Sequence, residues 1–133
     1  MKALVTGGAG FIGSNLVDLL LQQNFDVKVL DNLSTGYGKN IQGNNAELIE
    51  GDMRDKDLMN DITKNVDVIF HLAASIGNVK SLNNPQEDSE INVLGTLNIL
   101  ESARKNNVEK IMLDTHTLVL SFALFFAQLL LAP

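Results

Sequence analysis

The sequence predicts an α/β protein with a doubly wound parallel sheet, ending after about five strands. Short apolar runs alternate with helical segments over the first 113 residues, an order typical of parallel sheets covered by helices. The runs are largely apolar rather than alternating, which is typical of strands buried on both faces and is clearest for Val66, Val68, Ile69, Phe70 and Leu72. A glycine cluster also joins the first run to the first helical segment, as in folds that hold a ligand at this turn.

Each strand is predicted from a short aliphatic run that ends at polar or glycine residues. The five predicted strands are Ala3–Thr6, Val27–Asp31, Glu47–Glu50, Val66–Leu72 and Lys110–Leu113. Three helices are predicted between them, and these are Ile12–Gln23, Lys56–Thr63 and Pro85–Asn106.

Local signals support two of these helices. Asn84 and Pro85 fit the N-cap and the first position of the third helix, and Glu87 fits the capping glutamate. The polar, glycine-containing stretch 32–45 is predicted to be a loop. The first helix has one apolar face, which is formed by Ile12, Leu16, Leu19 and Leu20.

The composition is that of a single globular domain. The 133 residues are 45% apolar and 20% charged, with a formal net charge of −6. This acidic balance argues against nucleic-acid binding, which needs clustered Lys and Arg. Because there is no cysteine, disulfides, thiolate metal sites and a cysteine nucleophile are excluded, and we predict no metal site. The chain begins with a predicted strand rather than a signal peptide, so we expect a cytoplasmic protein.

The composition changes after residue 114. Residues 115–133 contain no Asp, Glu, Lys or Arg, and residues 118–132 are almost entirely apolar. We therefore predict a domain over residues 1–114 and an atypical apolar C-terminal tail over residues 115–133. Three interpretations of the tail stay open: the end of a truncated or frame-altered product, a helix covering an open sheet face, and a membrane anchor. As a helix, residues 118–132 would span roughly 22 Å, less than the ~30 Å of a bilayer core.

The glycines of the first turn predict a dinucleotide-binding site in a Rossmann-type domain. They fit two registers, Gly7-x-x-Gly10-x-x-Gly13 and Gly8-x-Gly10-x-x-Gly13. The first glycine permits a sharp turn, Gly10 lets a pyrophosphate approach the backbone, and Gly13 lets the helix pack closely on the sheet. The start of the helix offers free N–H groups to the phosphates. A turn that collects glycines for steric reasons alone is the alternative.

Asp31 indicates which dinucleotide binds. It ends the second predicted strand, eighteen residues after Gly13, close to the ~20-residue spacing of an acid that binds the adenosine ribose. A carboxylate there accepts hydrogen bonds from ribose hydroxyls and repels a 2′-phosphate, and the next cationic residue along the chain is Lys39. The sequence therefore predicts NAD rather than NADP. A solvent-exposed turn aspartate is the alternative.

Two further polar residues follow predicted strands. Asp52 lies after the third strand, where a carboxylate can contact adenine, but it can equally cap the helix that begins near Asp55. Arg54 is expected to be an ion-pair partner rather than a ligand-binding group. His71 is expected to be a buried core residue without a catalytic role.

Five segments stand in a set order along the chain, and these are 6–13 (TGGAGFIG), 31–36 (DNLSTG), 51–55 (GDMRD), 68–74 (VIFHLAA) and 92–98 (NVLGTLN). Together they resemble the NAD-dependent epimerase/dehydratase family, which belongs to the extended short-chain dehydrogenases/reductases and acts on nucleotide sugars. Within it they are most similar to the UDP-glucose 4-epimerases. The resemblance covers roughly residues 1–113.

The resemblance implies that residues at matching positions bind the cofactor. Phe11 and Ile12 would contact the pyrophosphate through backbone N–H groups, and Asn32 would join Asp31 at the ribose. Residues 75–85 resemble the loop that faces substrate. Asp52 and Met53 would lie on either side of adenine. The cofactor would be lined after the fourth strand by Leu72, Ala73 and Ala74. Asn92 would support the loops near the nicotinamide.

The family's catalytic residues are only partly matched. The resemblance implies a catalytic Ser or Thr after the fifth strand, where Thr117 falls, and a Tyr-x-x-x-Lys pair downstream, whose tyrosinate takes a proton from a sugar hydroxyl. The single tyrosine, Tyr37, lies in the loop after the second strand and is followed four positions later by Ile41 rather than lysine. That pair is therefore absent from this sequence.

We accordingly expect the NAD-binding half of a nucleotide-sugar epimerase/dehydratase, truncated and catalytically impaired alone. The alternatives are a non-catalytic NAD-binding subunit that works with a partner chain, and a membrane-tethered variant. The partner would be a second copy or a complementing chain.

Overall fold

The computed structural model describes residues 1–113 and confirms the predicted α/β class. Residues 114–133 lie outside this range. Thr117 and the three interpretations of the C-terminal tail therefore fall outside the described residues. The strands are β1 (Lys2–Thr6), β2 (Asp26–Asp31), β3 (Glu47–Glu50), β4 (Val68–His71) and β5 (Lys110–Leu113). The helices are α1 (Phe11–Gln22), α2 (Lys56–Ile62), α3 (Asn78–Asn83), α4 (Pro85–Ser89) and α5 (Thr96–Lys105).

The five strands form one parallel sheet in the order β3-β2-β1-β4-β5. In the centre, Thr6 of β1 pairs with Leu30 of β2 on one side and with His71 of β4 on the other. The chain thus builds the sheet outward from β1 in one direction and then, after β3, in the other. The reversal places a topological switch point between β1 and β4, and doubly wound sheets bind ligands at the carboxyl ends of strands there.

Helices cover both faces of the sheet, and each face has its own apolar core. On one face, α1 packs Val17 and Leu20 against alternate residues of the central strands, including Val5 and Val29. On the other face, α2 and α5 pack against the intervening strand residues, which include Leu4, Leu30 and Ile69. Residues of β1 therefore contribute to both cores in turn, which explains why three consecutive residues of this strand, Ala3, Leu4 and Val5, are apolar and buried.

The buried face of α1 differs from the predicted one. Gly13 and Val17, with Leu20, are buried, whereas Ile12 and Leu19 are 65% and 53% exposed. A Cβ on Gly13 would overlap the backbone of Gly7 and Gly8, so the helix contacts the turn at this position. Because of that contact, the helix face formed by Gly13, Val17 and Leu20 points toward the sheet, and Ile12 and Leu19 point outward.

The predicted third helix is divided into three pieces. The pieces are α4, a π-helical turn over Glu90–Gly95, and α5. Gly95 ends the π-helical turn against the side chain of Met53, to which an added Cβ would come within 2.8 Å. The predicted cap is present, because the Asn84 side chain accepts a hydrogen bond from the Glu87 N–H. A further helix, α3, lies within the stretch 75–85, for which the family resemblance implies a loop.

Within residues 1–113, no helix combines the length and apolar character needed to cross a membrane. The anchor interpretation concerned residues 115–133 alone.

Candidate functional site

The turn between β1 and α1 lies directly against the end of β4. Gly7 has a φ of +72°, which L side chains rarely adopt, and a Cβ on it would lie 2.7 Å from the Ala73 nitrogen. Gly8 has no such φ and instead packs beside Val29. Gly7 is therefore the glycine that makes the sharp turn, and the register Gly7-x-x-Gly10-x-x-Gly13 describes it.

The first turn of α1 is free of side-chain capping. Gly10 is the N-cap in extended conformation, and the first helical hydrogen bond runs from the Ser14 N–H to the Gly10 carbonyl at 3.0 Å. The N–H groups of the preceding helical residues have no carbonyl four positions earlier in the helix to bind. No acidic side chain lies in this turn, and Phe11 is 86% exposed. The turn therefore offers N–H groups and a positive dipole end to an anion.

Asp31 joins the turn to the end of β2. Its carboxylate accepts hydrogen bonds from the Ala9 N–H at 3.0 Å and the Leu33 N–H at 2.9 Å, and the residue is only 8% exposed. The alternative of a solvent-exposed turn aspartate is therefore wrong. Leu33 itself has a φ of +54°, so the Asp31 carboxylate supports a strained turn after β2.

Asp52 and Arg54 form a two-point ion pair after β3. The Arg54 guanidinium donates to the two carboxylate oxygens of Asp52 at 2.9 and 2.7 Å, while Asn32 Nδ2 lies 3.5 Å from one of them. These hydrogen bonds, those from Arg54 foremost, lower the pKa of Asp52 to about 2. The expected ion-pair role of Arg54 is confirmed.

Asp52 does not cap α2, so that alternative is wrong. Asp55 is the cap, because its carboxylate accepts from the N–H groups of Asp57 and Leu58, both at 3.0 Å. Asp52 stands three residues before this N-cap, so the N-cap position, whose side chain binds the first-turn N–H groups, is already occupied by another aspartate.

The side chain of Met53 is buried, unlike that of the preceding Asp52. Its side chain is 5% exposed and belongs to the core between the sheet and α5, so only its backbone can meet a ligand in this conformation. The Asn98 side chain donates to the carbonyls of Met53 and Arg54 at 3.2 and 3.0 Å. No local pattern marks Asn98 as a site residue, although it stands inside the segment 92–98.

Residues 72–74 leave the end of β4 as a half-buried strip beside the glycine turn. The Leu72 N–H donates to the Thr6 carbonyl at 3.0 Å, which continues the sheet pairing by one residue. The Ala73 N–H lies 3.4 Å from Thr6 Oγ1. The small side chains of Ala73 and Ala74 keep this strip open above the switch point.

Asn92 holds the next part of the strip. Its side chain accepts from the Ser75 N–H at 2.8 Å and donates to the Ser75 carbonyl at 3.0 Å, and it is buried. The amide thus acts as a two-point clamp on the backbone after β4. Its position agrees with the expected support of a loop, and the link to a nicotinamide stays a prediction.

His71 is buried and hydrogen-bonded at both ring nitrogens. Nδ1 lies 2.6 Å from Thr6 Oγ1 and Nε2 lies 3.1 Å from Thr96 Oγ1. Burial lowers its pKa to about 4, so the imidazole is neutral near neutral pH. This agrees with the expectation of a core histidine, and the two threonine hydroxyls are partners that the local sequence around His71 does not indicate.

The predicted cofactor residues therefore meet at the carboxyl edge of the sheet. The glycine turn, Asp31 and the strip 72–74 lie around the switch point, and Asp52 follows the neighbouring strand β3. A groove of about 760 Å³ between α2 and α5 is a separate feature, lined among others by Asn60, Asn98 and Glu101. None of the residues predicted to bind the cofactor lines this groove.

Comparison with known proteins identifies the family. The sequence profile of the NAD-dependent epimerase/dehydratase family matches residues 3–118. The chain belongs to this family. The resemblance drawn from the five segments is therefore confirmed, and the family is the NAD-dependent one that the glycine turn and Asp31 predict.

The relatives of this epimerase/dehydratase chain are longer. "Putative UDP-glucose 4-epimerase" of Methanocaldococcus jannaschii is 54% identical over 110 residues, 82% of this chain and 36% of that protein. The CDP-paratose 2-epimerase of Salmonella typhi is 44% identical over 117 residues, 80% of this chain and 34% of that one. The UDP-glucose 4-epimerase of Thermus thermophilus, solved in complex with NAD, has a TM-score of 0.78 at 41% identity, covering 84% of this chain and 36% of that one. The chain thus spans about a third of the length of these relatives.

Proposed function

We propose that this chain binds NAD across the carboxyl edge of its sheet and forms the cofactor-binding half of a nucleotide-sugar epimerase or dehydratase. The observation that carries the proposal is the uncapped first turn of α1, which lies beside the close contact of Gly7 with Ala73. A surface made of backbone alone can approach a pyrophosphate closely and donate several N–H groups to it. The Thermus thermophilus relative that was solved with NAD adds support for the same cofactor.

In this proposal the pyrophosphate is bound by the N–H groups of Phe11 and Ile12. The adenosine ribose is held by Asp31, with Asn32 beside it. Each Asp31 oxygen accepts one backbone hydrogen bond, and a carboxylate oxygen has a second lone pair for a ribose hydroxyl. The two backbone donors also orient the carboxylate before the ligand arrives.

Adenine and nicotinamide would lie at opposite ends of the crevice. Adenine is assigned to Asp52 and to the backbone of Met53, after β3. The nicotinamide side is assigned to the strip of Leu72, Ala73 and Ala74, and Asn92 keeps the following backbone in place.

The substitution Asp31→Asn tests the ribose assignment. It retains one oxygen, but it replaces an acceptor by an N–H₂ donor and removes the charge that repels a 2′-phosphate. We expect NAD to bind at least roughly tenfold more weakly, because an acceptor for a charge-assisted hydrogen bond is lost. The affinity for NADP should fall less, so the ratio of the NAD affinity to the NADP affinity should decrease. Isothermal titration calorimetry with both dinucleotides measures this.

Asp26→Asn is the matched control. Asp26 is an exposed carboxylate at the opposite end of the same strand, so this variant removes the same charge from β2 far from the crevice. It should bind NAD like the wild type. If Asp31→Asn weakened NAD binding no more than Asp26→Asn does, Asp31 would not hold the ribose.

We further propose that these 133 residues alone do not convert a nucleotide sugar. The 4-epimerase and 2-epimerase relatives act on UDP- and CDP-linked sugars according to their names, so a nucleotide sugar is the proposed substrate class. Thr117 is the proposed Ser/Thr partner in catalysis, while the sequence has no Tyr-x-x-x-Lys pair to take the proton. Incubation with NAD and UDP-glucose, followed by chromatography of the sugars, should give no epimer. Turnover by the purified chain would refute this part.

A complementing chain is the second candidate, in which this domain serves as an NAD-binding subunit. It is favoured by β5, which is an edge strand of the described sheet and leaves Met112 52% exposed. An added element on this edge would extend the sheet and cover that side chain. Mixing the chain with the C-terminal portion of a relative that carries Tyr-x-x-x-Lys should then restore epimer formation. Failure of the mixture to form a complex in size-exclusion chromatography would count against this candidate.

A further inference from the structure

A chain of buried hydrogen bonds crosses the switch point beneath the crevice. His71 ends β4 and Thr6 ends β1, and the two residues are paired across the sheet. The ring of His71 lies between two hydroxyls, with Thr6 Oγ1 2.6 Å from Nδ1 and Thr96 Oγ1 3.1 Å from Nε2. All three residues are buried, so water does not compete for these hydrogen bonds.

The direction of every hydrogen bond in this chain follows from counting hydrogens. Thr96 Oγ1 donates its one hydrogen to the Asn92 carbonyl at 2.7 Å. It can therefore only accept from His71, so Nε2 carries the imidazole proton. Nδ1 of the neutral ring is then an acceptor, and Thr6 donates to it. The remaining lone pair of Thr6 Oγ1 faces the Ala73 N–H at 3.4 Å.

We call the hydrogen bonds that run through Thr6, His71 and Thr96 the relay. Both of its ends are connected to one short piece of backbone. The relay starts at the Ala73 N–H and ends at the Asn92 carbonyl in the π-helical turn. The Asn92 side chain clamps Ser75 through bonds of 2.8 and 3.0 Å, only two residues beyond Ala73. A closed ring of hydrogen bonds therefore ties the backbone at 73–75 to the ends of β1 and β4.

We propose that His71, as the Nε2–H tautomer, is a positioning residue that fixes the backbone of residues 73–75 along the nicotinamide side of the crevice. It touches no ligand itself and acts through Thr6 and Thr96. The effect on the cofactor rests on the proposed NAD function, whereas the tautomer and the ordering of residues 73–75 do not. Burial holds the pKa of His71 near 4, and this keeps the ring neutral, as the relay requires.

The first test needs no substitution. Long-range ¹H–¹⁵N correlation spectra of the full chain, with ¹⁵N-labelled histidine, report which ring nitrogen carries the proton. We expect His71 to be protonated on Nε2 alone. A ring protonated on Nδ1, or an equal mixture of tautomers, would overturn the proposal even if every variant failed to fold.

The second test compares Thr96→Val with Thr96→Ser. Valine has the shape of threonine without the hydroxyl, so it breaks the relay and leaves the Nε2 proton unpaired, whereas serine keeps the hydroxyl. In Thr96→Val we expect amide hydrogen exchange at Ala73 and Ser75 to be roughly tenfold faster, and in Thr96→Ser to be near the wild-type rate. The Leu72 amide is the internal control, because it donates to the Thr6 carbonyl and not to the relay.

NAD affinity, measured well below the unfolding temperature, separates positioning from simple stability. Thr96→Val should bind NAD roughly tenfold more weakly and Thr96→Ser like the wild type. If Thr96→Val were less stable but bound NAD like the wild type, the positioning role would be refuted. If the wild type itself bound no NAD, the proposed function would fall, while the exchange rates at Ala73 and Ser75 would still decide the relay.

Discussion

His71 is the side chain whose acid–base chemistry the fold changes most. Burial lowers its pKa from 6.5 to about 4 because the imidazolium loses its hydration. The unfolded chain takes up the proton near pH 6.5 and the folded chain only near pH 4. Acid therefore favours the unfolded state, in which the proton binds more tightly.

The stability of the domain should therefore fall on acidification through the range between these two pKa values. The loss is absent above about pH 7, begins below pH 6.5 and is complete below pH 4, where it amounts to about 3 kcal/mol. Urea unfolding curves at pH 7.5, 6.0 and 4.5 measure it.

The variant His71→Gln is the control for this pH dependence. It lacks the titrating group but retains an amide that can donate to Thr96. It should be less stable than the wild type at pH 7.5 and lose less stability on acidification, since the imidazole of His71 no longer titrates. Parallel pH profiles of the two proteins would contradict the assignment.

Among individual residues, the sequence predicts only those that belong to a local pattern. The spacing of Gly7, Gly10 and Gly13, and the place of Asp31 at a strand end, are visible in the chain. The partners Thr6, Thr96 and Asn98 are not, because each is defined by a contact with a residue 25 to 65 positions away. A polar residue at the end of a buried strand, such as Thr6, is the only local signal that could have suggested one of them.

Among the elements, α2 owes its start to a single side chain. The Asp55 carboxylate binds two N–H groups of the first turn, at 3.0 Å each. Asp55→Ala should lower the free energy of unfolding by about 1 kcal/mol, because those N–H groups lose their acceptor. Urea denaturation followed by circular dichroism measures this.

Asp57→Ala is the matched control for that cap. Asp57 stands in the first turn of the same helix but caps nothing, so its loss should cost at most roughly 0.5 kcal/mol. An equal loss of stability in both variants would show that charge near the helix start, and not the cap, is responsible.

The sequence predicts the positions of these elements better than their internal form. All five strands fall where aliphatic runs predict them, although β4 is shorter than the predicted Val66–Leu72. The interruption of the third helix was not predicted, because the apolar pattern of residues 85–106 is compatible with one continuous helix. Its cause is tertiary: the π-helical turn places Asn92 against Ser75, and Gly95 is packed against Met53.

For the whole molecule, binding of the dinucleotide should raise the free energy of unfolding. A dinucleotide that binds only the folded chain adds about 2.7 kcal/mol when its concentration is a hundred times its Kd. For a domain of this size we expect the melting temperature to rise by roughly 10 °C with NAD. Differential scanning calorimetry, performed with NAD and NADP at equal concentrations, measures this.

NADP is the internal control for that shift. The Asp31 carboxylate repels a 2′-phosphate, so NADP should raise the melting temperature much less than NAD does. Equal shifts with the two dinucleotides would contradict the assignment of Asp31 to the ribose. No shift with either would contradict the proposed cofactor site as a whole.

The overall architecture follows from the order of elements more fully than the packing does. Alternation of strands and helices, with short connections, leaves few parallel arrangements, and the observed order β3-β2-β1-β4-β5 is one of them. The rotation of α1 could not be predicted from the apolar pattern, because Ile12 and Leu19 fit a buried face as well as Val17 does. The contact of Gly13 with the turn decides the rotation, and it depends on the path of the backbone.

The central place of β1 has a kinetic consequence. It joins β2 across 24 residues, from Lys2 to Asp26, but meets β4 only across 65 residues, from Thr6 to His71. Closing the longer loop costs more chain entropy, so docking of β4 should be the late and slow event in folding. During synthesis, a ribosome must therefore release more than half of the chain before the first strand acquires its second neighbour, and until then its apolar edge is available to chaperones.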